Sequence, residues 1–87
     1  MPLIEYLLTE EQLERLKSAS RMDYRENRDG SLMATTREQE RTRLRVNDAW
    51  HGIGLEVGFD WTTVKPHPGG DEYRFLAAPL VNAATET

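Results

Sequence analysis

Six residues, Pro66-His67-Pro68-Gly69-Gly70-Asp71, constrain the fold of this chain more than any other stretch. Proline lacks an N–H and holds φ near −65°, and glycine is the residue that enters positive φ freely. Two of each within six positions make a turn and nothing else. The flanks fit strands. Trp61-Thr62-Thr63-Val64 is aromatic and β-branched, and Glu72-Tyr73-Arg74-Phe75-Leu76-Ala77 alternates, with Tyr73 and Phe75 on one face. The spacing predicts a C-terminal β-hairpin over about 61–78.

Upstream, the signals are helical. Thr9 followed by Gln12 is a capping box, Leu8 and Leu13 are placed for a hydrophobic staple, and Glu10 and Glu11 suit the positive end of a helix dipole. A first helix is expected over about 10–26, with Leu13, Leu16, Ala19 and Met22 on its apolar side. Asn27-Arg28-Asp29-Gly30-Ser31 is a turn signal that ends it. Thr35 with Glu38, and Thr36 with Gln39, repeat the capping pattern. A second helix is expected over about 36–58, with Gly58 as the residue after its end.

Two stretches leave alternatives open. Residues 3–8 (Leu-Ile-Glu-Tyr-Leu-Leu) suit an edge strand or the lead-in to the first helix. Ile53, Leu55, Val57, Phe59 and Trp61 alternate with Gly54, Glu56, Gly58 and Asp60, which is also a period-2 strand pattern. The helical reading to Gly58 is preferred because it continues a well-started helix. The predicted architecture is α+β: two helices followed by the hairpin in one domain spanning 1–87, with a frayed tail over 80–87.

Composition narrows the function classes. The chain has 87 residues and no Cys, which excludes a two-domain enzyme, a disulfide scaffold and a thiolate zinc site. No apolar run reaches the roughly 18 residues of a membrane span, so a cytoplasmic protein without a membrane partner is expected. The formal net charge of −4 is unevenly spread. Residues 1–14 are acidic, residues 15–45 carry eight Arg and Lys17 against five acids, and the remainder is acidic again. With a pI near 5.1, coating of nucleic acid is disfavoured.

Arg21, Arg25 and Arg28, and separately Arg37, Arg41 and Arg45, recur at helical spacing. Each triple is a candidate basic stripe for an acidic protein patch or for phosphate, which guanidinium groups bind in bidentate fashion. The bland alternative is a solvated face stitched by local ion pairs such as Arg43 with Glu40. Gly52-Ile53-Gly54 through Gly58 has the wrong spacing and context for a dinucleotide fingerprint and reads as close packing or helix termination. His51 and His67 lack convergent ligand partners, and no serine sits in a nucleophile motif. No catalytic residue, metal or cofactor is expected. Trp50, Phe59, Trp61, Tyr73 and Phe75 read as the core between the second helix and the hairpin, with Trp61 and Tyr73 as candidate interface anchors.

Trp50, Gly58-Phe59-Asp60-Trp61-Thr62-Thr63-Val64-Lys65-Pro66, the glycine turn and Arg74-Phe75-Leu76-Ala77-Ala78-Pro79 together resemble the tail of small uncharacterised proteins encoded by bacteriophages. The resemblance covers about the last 30 residues. It implies a host-cytoplasmic accessory protein that binds and blocks host or defence components, and it carries over no site residue. The expected function is therefore a non-enzymatic binding protein that occludes a protein partner bearing an acidic patch, and a homodimer through its helices. An oligomer that sequesters a phosphate-bearing ligand such as a signalling nucleotide is the first alternative. A nucleic-acid-binding accessory protein is the second.

Overall fold

A computed structural model describes residues 2–80. In chain order it contains β1 (Ile4–Leu7), α1 (Glu10–Ala19), β2 (Arg25–Glu26), β3 (Leu32–Met33), α2 (Thr36–Val57), β4 (Phe59–Pro66) and β5 (Arg74–Pro79). The α+β class stands, but the strands are not confined to a C-terminal hairpin. β4 and β5 form the expected antiparallel pair, and β1 joins them across the whole chain to give a sheet of order β1-β5-β4. A separate two-stranded ribbon, β2-β3, lies between the helices. Beyond Leu80, the expected frayed tail lies outside the described residues.

α1 starts as its capping box dictates. The Thr9 hydroxyl accepts from the Gln12 amide at 3.1 Å, and the Gln12 side chain accepts from the Thr9 amide at 3.0 Å. Leu8 and Leu13, the two ends of the staple, are both buried. The helix stops at Ala19, well short of residue 26. Past Leu16 and Ala19 it has little apolar side chain left to bury, and Ser20 turns its hydroxyl onto the Lys17 carbonyl at 2.9 Å. With Met22 alone to continue its apolar face, the segment 20–26 gains little as a helix from tertiary packing, which supplies most helical stability in proteins.

α2 is helical through both Gly52 and Gly54, so the period-2 reading of 53–61 fails up to Val57. Gly58 ends it in the left-handed conformation (φ 101°, ψ 38°) and donates to the Gly54 carbonyl at 2.7 Å. Thr35 alone is the N-cap, accepting from the Glu38 amide at 3.1 Å. The reciprocal half of the expected box is absent, because the Glu38 carboxylate accepts from the Asp23 amide instead.

The two helices run antiparallel. Gln12 and Arg15 near the start of α1 reach Glu56 near the end of α2, and Arg45 on α2 meets the Ala19 carbonyl at the end of α1. At 1.5 Å per residue, α2 is about 33 Å long and α1 about 15 Å. α1 therefore flanks only residues 45–56, and the first turns of α2 extend beyond it. The main core cluster comprises Leu8, Leu13, Leu16, Ile53, Phe59, Phe75 and Ala77; between 20 and 48 only Ala34 and Thr42 are buried, and they stand apart from it. Phe59 and Phe75 pack edge to face at 4.8 Å, and Trp50 closes on Phe75 at 5.1 Å. The principal extents are 59 × 29 × 23 Å and the radius of gyration is 16.0 Å. A compact chain of this length would have about 12 Å, so the molecule is a small body with a long projection.

Candidate partner-binding arm

The projection is built from residues 20–44: a connector, the β2-β3 ribbon and the first turns of α2. Its tip is pre-organised by short-range chemistry. The Asn27 amide donates to the Ser31 carbonyl at 2.8 Å and Gly30 turns the chain with φ 84°. Asp29 accepts from the Ser31 hydroxyl at 2.6 Å and the Ser31 amide at 3.0 Å. The hydroxyl, then the amide, hold the Asp29 carboxyl below the usual carboxylate range. The turn expected at 27–31 is present, but it closes a ribbon and does not terminate a helix.

Two residues of α2 strap the connector down. Arg45 donates through Nη2 to the Arg21 carbonyl at 2.6 Å and to the Thr42 hydroxyl at 3.1 Å, and through Nε to the Ala19 carbonyl at 3.3 Å. These are carbonyls that the end of α1 and the segment after it leave open, and a cation there also complements the helix dipole. Glu38, one turn pair earlier on α2, holds the Asp23 amide and faces Arg45 at 3.9 Å.

The six candidate arginines consequently part company. Arg21, Arg25 and Arg28 share no helix face, because they lie on the connector, on β2 and in the ribbon turn. Arg37 and Arg41 remain neighbours on α2, while Arg45 is committed to the strap. Of the nine arginines, Arg15 pairs with Glu56 and Glu11, Arg43 with Glu40, Arg45 with Glu38 and Arg74 with Glu5 and Asp71. The other five, Arg21, Arg25, Arg28, Arg37 and Arg41, form no ion pair among the described residues, and all are exposed. They face three carboxylates without a basic partner on the same segment, Asp23, Glu26 and Asp29.

Apolar side chains are exposed on the same arm: Tyr24, Leu32, Met33 and Leu44 are each more than half accessible. Sequence reasoning missed them as surface residues. An apolar residue within a long helix suggests a packed position for Leu44, whereas Thr42, Ile53 and Gly54 are the buried positions of α2. The 3.6-residue period anchored on Ile53 would have exposed Leu44.

Trp61 and Tyr73 are not on the arm. Both are half-buried and packed against the core cluster. Trp61 rides on an irregularity of β4, where the pairing with β5 jumps between Asp60 and Lys65. There the Thr63 hydroxyl accepts from the Ala78 amide at 2.8 Å in place of a backbone carbonyl. Its ring lies 6.2 Å from that of His51.

Three clefts bear on ligand binding. One of about 430 Å³ opens over Leu13, Leu16, Trp50, Val64 and Phe75 beneath the 66–74 turn. A second, between the helices, is lined by Arg45 with Arg15 and Asp48, and a third, between the ribbon and the first turn of α2, by Arg25 with Met33 and Gln39. None of the three gathers two of the six candidate arginines, so the stripes do not converge on a phosphate-sized cradle in them. Among the described residues no helix is long and apolar enough to cross a membrane. No family model matches the chain, and no curated protein or solved structure was found to be similar to it.

Proposed function

We propose that the protein is a non-enzymatic binding protein that uses the arm over residues 20–44 to occlude an acidic surface of a protein partner. One observation carries the reading: every arginine without an internal carboxylate lies between residues 21 and 41, and the same segment exposes Tyr24, Leu32, Met33 and Leu44. Arg, Tyr and Met are the residue types enriched at protein interfaces. The arm buries only Ala34 and Thr42 and adds no residue to the main core cluster, so core packing does not explain keeping these side chains in water. Free guanidinium groups steer an acidic partner into encounter, and the apolar side chains supply the contact that holds it. The resemblance of residues 50–79 to small bacteriophage proteins supplies the context of a host or defence component as the partner.

The test is affinity capture from host lysate with the wild-type chain and with Arg25→Glu/Arg28→Glu/Arg41→Glu, at low and high salt. The expected result is a specific protein retained by the wild type at low salt, weakened by salt and lost in the variant. Retention unaffected by the three reversals, or no specific protein at either salt, refutes the proposal. Capture of nucleic acid with a steep salt dependence would move the arm to the nucleic-acid class.

A further inference from the structure

We propose that β1 is a self-pairing edge, and that two copies of this chain join antiparallel through it to form one continuous six-stranded sheet. β1 is the outer strand of the β1-β5-β4 sheet, and among the described residues no strand lies on its far side. Its outward backbone N–H and C=O groups are therefore a template for another strand. Proteins that keep such an edge in water blunt it with a very short strand, charged side chains, proline or a bulge. β1 is short and carries Glu5, but over Leu3–Leu7 there is no lysine, proline or bulge, and Leu3, Ile4 and Leu7 are exposed, Leu7 by 65%.

The order of residues selects a second copy over an unrelated strand. Leu3-Ile4-Glu5-Tyr6-Leu7 is nearly palindromic about Glu5 in chemical type. A twofold axis at Glu5 sets Leu3 across from Leu7 of the second copy and Ile4 across from its Tyr6. Residues directly opposite share a face and interact, and apolar and aromatic–β-branched pairs are the favourable ones. The pairing needs residues of one parity to meet, which this register satisfies.

The twofold axis brings two Glu5 residues together, and like charges opposite each other normally oppose pairing. Here each carboxylate is already engaged within its own chain. Glu5 Oε1 lies 2.8 Å from His67 Nε2, and Oε2 accepts from Arg74 at 3.1 Å. His67 Nδ1 in turn accepts from the Gly69 amide at 3.0 Å, which orients the ring with Nε2 toward Glu5. The hairpin turn thus holds the one charge that would disfavour self-pairing. The assembly leaves the 20–44 arms free, one per copy, and so is independent of what the arm binds.

The experiment is sedimentation of the full chain across a dilution series, with Leu3→Lys/Leu7→Lys and, as a control, Leu44→Lys. The wild type and the control are expected at twice the 10.0 kDa chain mass and the double lysine variant at that mass, with unchanged circular dichroism because both sites are exposed. The register is read separately by oxidation, since the chain has no native Cys. Opposite residues in an antiparallel pair lie roughly 4.5–5.5 Å apart at Cα, within disulfide reach. Leu3→Cys mixed with Leu7→Cys should give a crosslinked dimer, and either alone should not. A monomeric wild type, a dimer that survives both lysines, or crosslinking of either single variant as readily as the mixture overturns the proposal. Charge reversal on the arm leaves the dimer intact, so failure of the binding reading is distinguishable.

Discussion

The sharpest consequence of the structure concerns one substitution made two residues apart. Gly52 and Gly54 both lie inside α2, where alanine is favoured over glycine by about 0.8–1 kcal/mol. A Cβ on Gly52 meets nothing within 4 Å. A Cβ on Gly54 falls 2.8 Å from the Phe59 carbonyl oxygen and 3.4 Å from its ring. The obstacle is backbone and cannot rotate away. Phe59 is 1% exposed, opens β4 opposite Pro79, and follows the left-handed turn at Gly58. Relief requires the helix and the strand to separate, and overpacking of this kind costs about 1–3 kcal/mol. The net expectation is a gain of about 0.8 kcal/mol for Gly52→Ala and a loss of about 1 kcal/mol for Gly54→Ala. With an unfolding entropy near 2.1 cal/mol/K per residue, an 87-residue chain shifts about 5 °C per kcal/mol. Thermal unfolding followed by circular dichroism should place Gly52→Ala about 4 °C above the wild type and Gly54→Ala about 5 °C below it. If Gly54→Ala rises as Gly52→Ala does, α2 and β4 are not in this contact and the packing argument is wrong.

Arg45→Ala should cost about 1–2 kcal/mol, discounted for a side chain 41% exposed, by freeing the Ala19 and Arg21 carbonyls; hydrogen exchange should show the 20–24 connector opening ahead of the body, and uniform protection would refute the strap. Phe59→Ala should lose about 3–5 kcal/mol in chemical denaturation, and a loss below about 1 kcal/mol would mean that Phe59 is not the centre of the core. The Glu56 carboxyl is held below its usual range, first by its hydrogen bond from Arg15 and then by that from Gln12. Its folded value is depressed, so its contribution is present above the unfolded carboxylate value and disappears as pH falls through the folded one. Glu56→Gln should therefore flatten the acid side of the stability profile, and a profile parallel to the wild type would refute the linkage.

Much of the fold was legible because it is decided within a few residues. Thr9 and Gln12 cap each other across three positions, Gly58 stops α2 because it accepts positive φ, and the 66–71 turn is dictated by proline and glycine geometry. The aromatic core between α2 and the hairpin was legible from alternation around Phe75. What escaped depends on partners distant along the chain. The Ala19 carbonyl left open at the end of α1 is held by Arg45, 26 residues further on. Glu5 finds Arg74 across 69 residues, which is how an ambiguous apolar run at 3–8 becomes the edge of a sheet. Helical spacing assigned six arginines to two stripes, whereas their fates turn on which carboxylates and carbonyls the packed molecule brings near.

By itself, then, the sequence determined where helices begin, where the chain reverses and that its second half supplies the aromatic part of the core, because capping hydrogen bonds, restricted φ and side-chain alternation act over a few residues of backbone. Only the tertiary structure decided which arginines are spent on ion pairs and straps and which five stay free on an arm. Those outcomes are set by distances between groups tens of residues apart, and no local pattern encodes them.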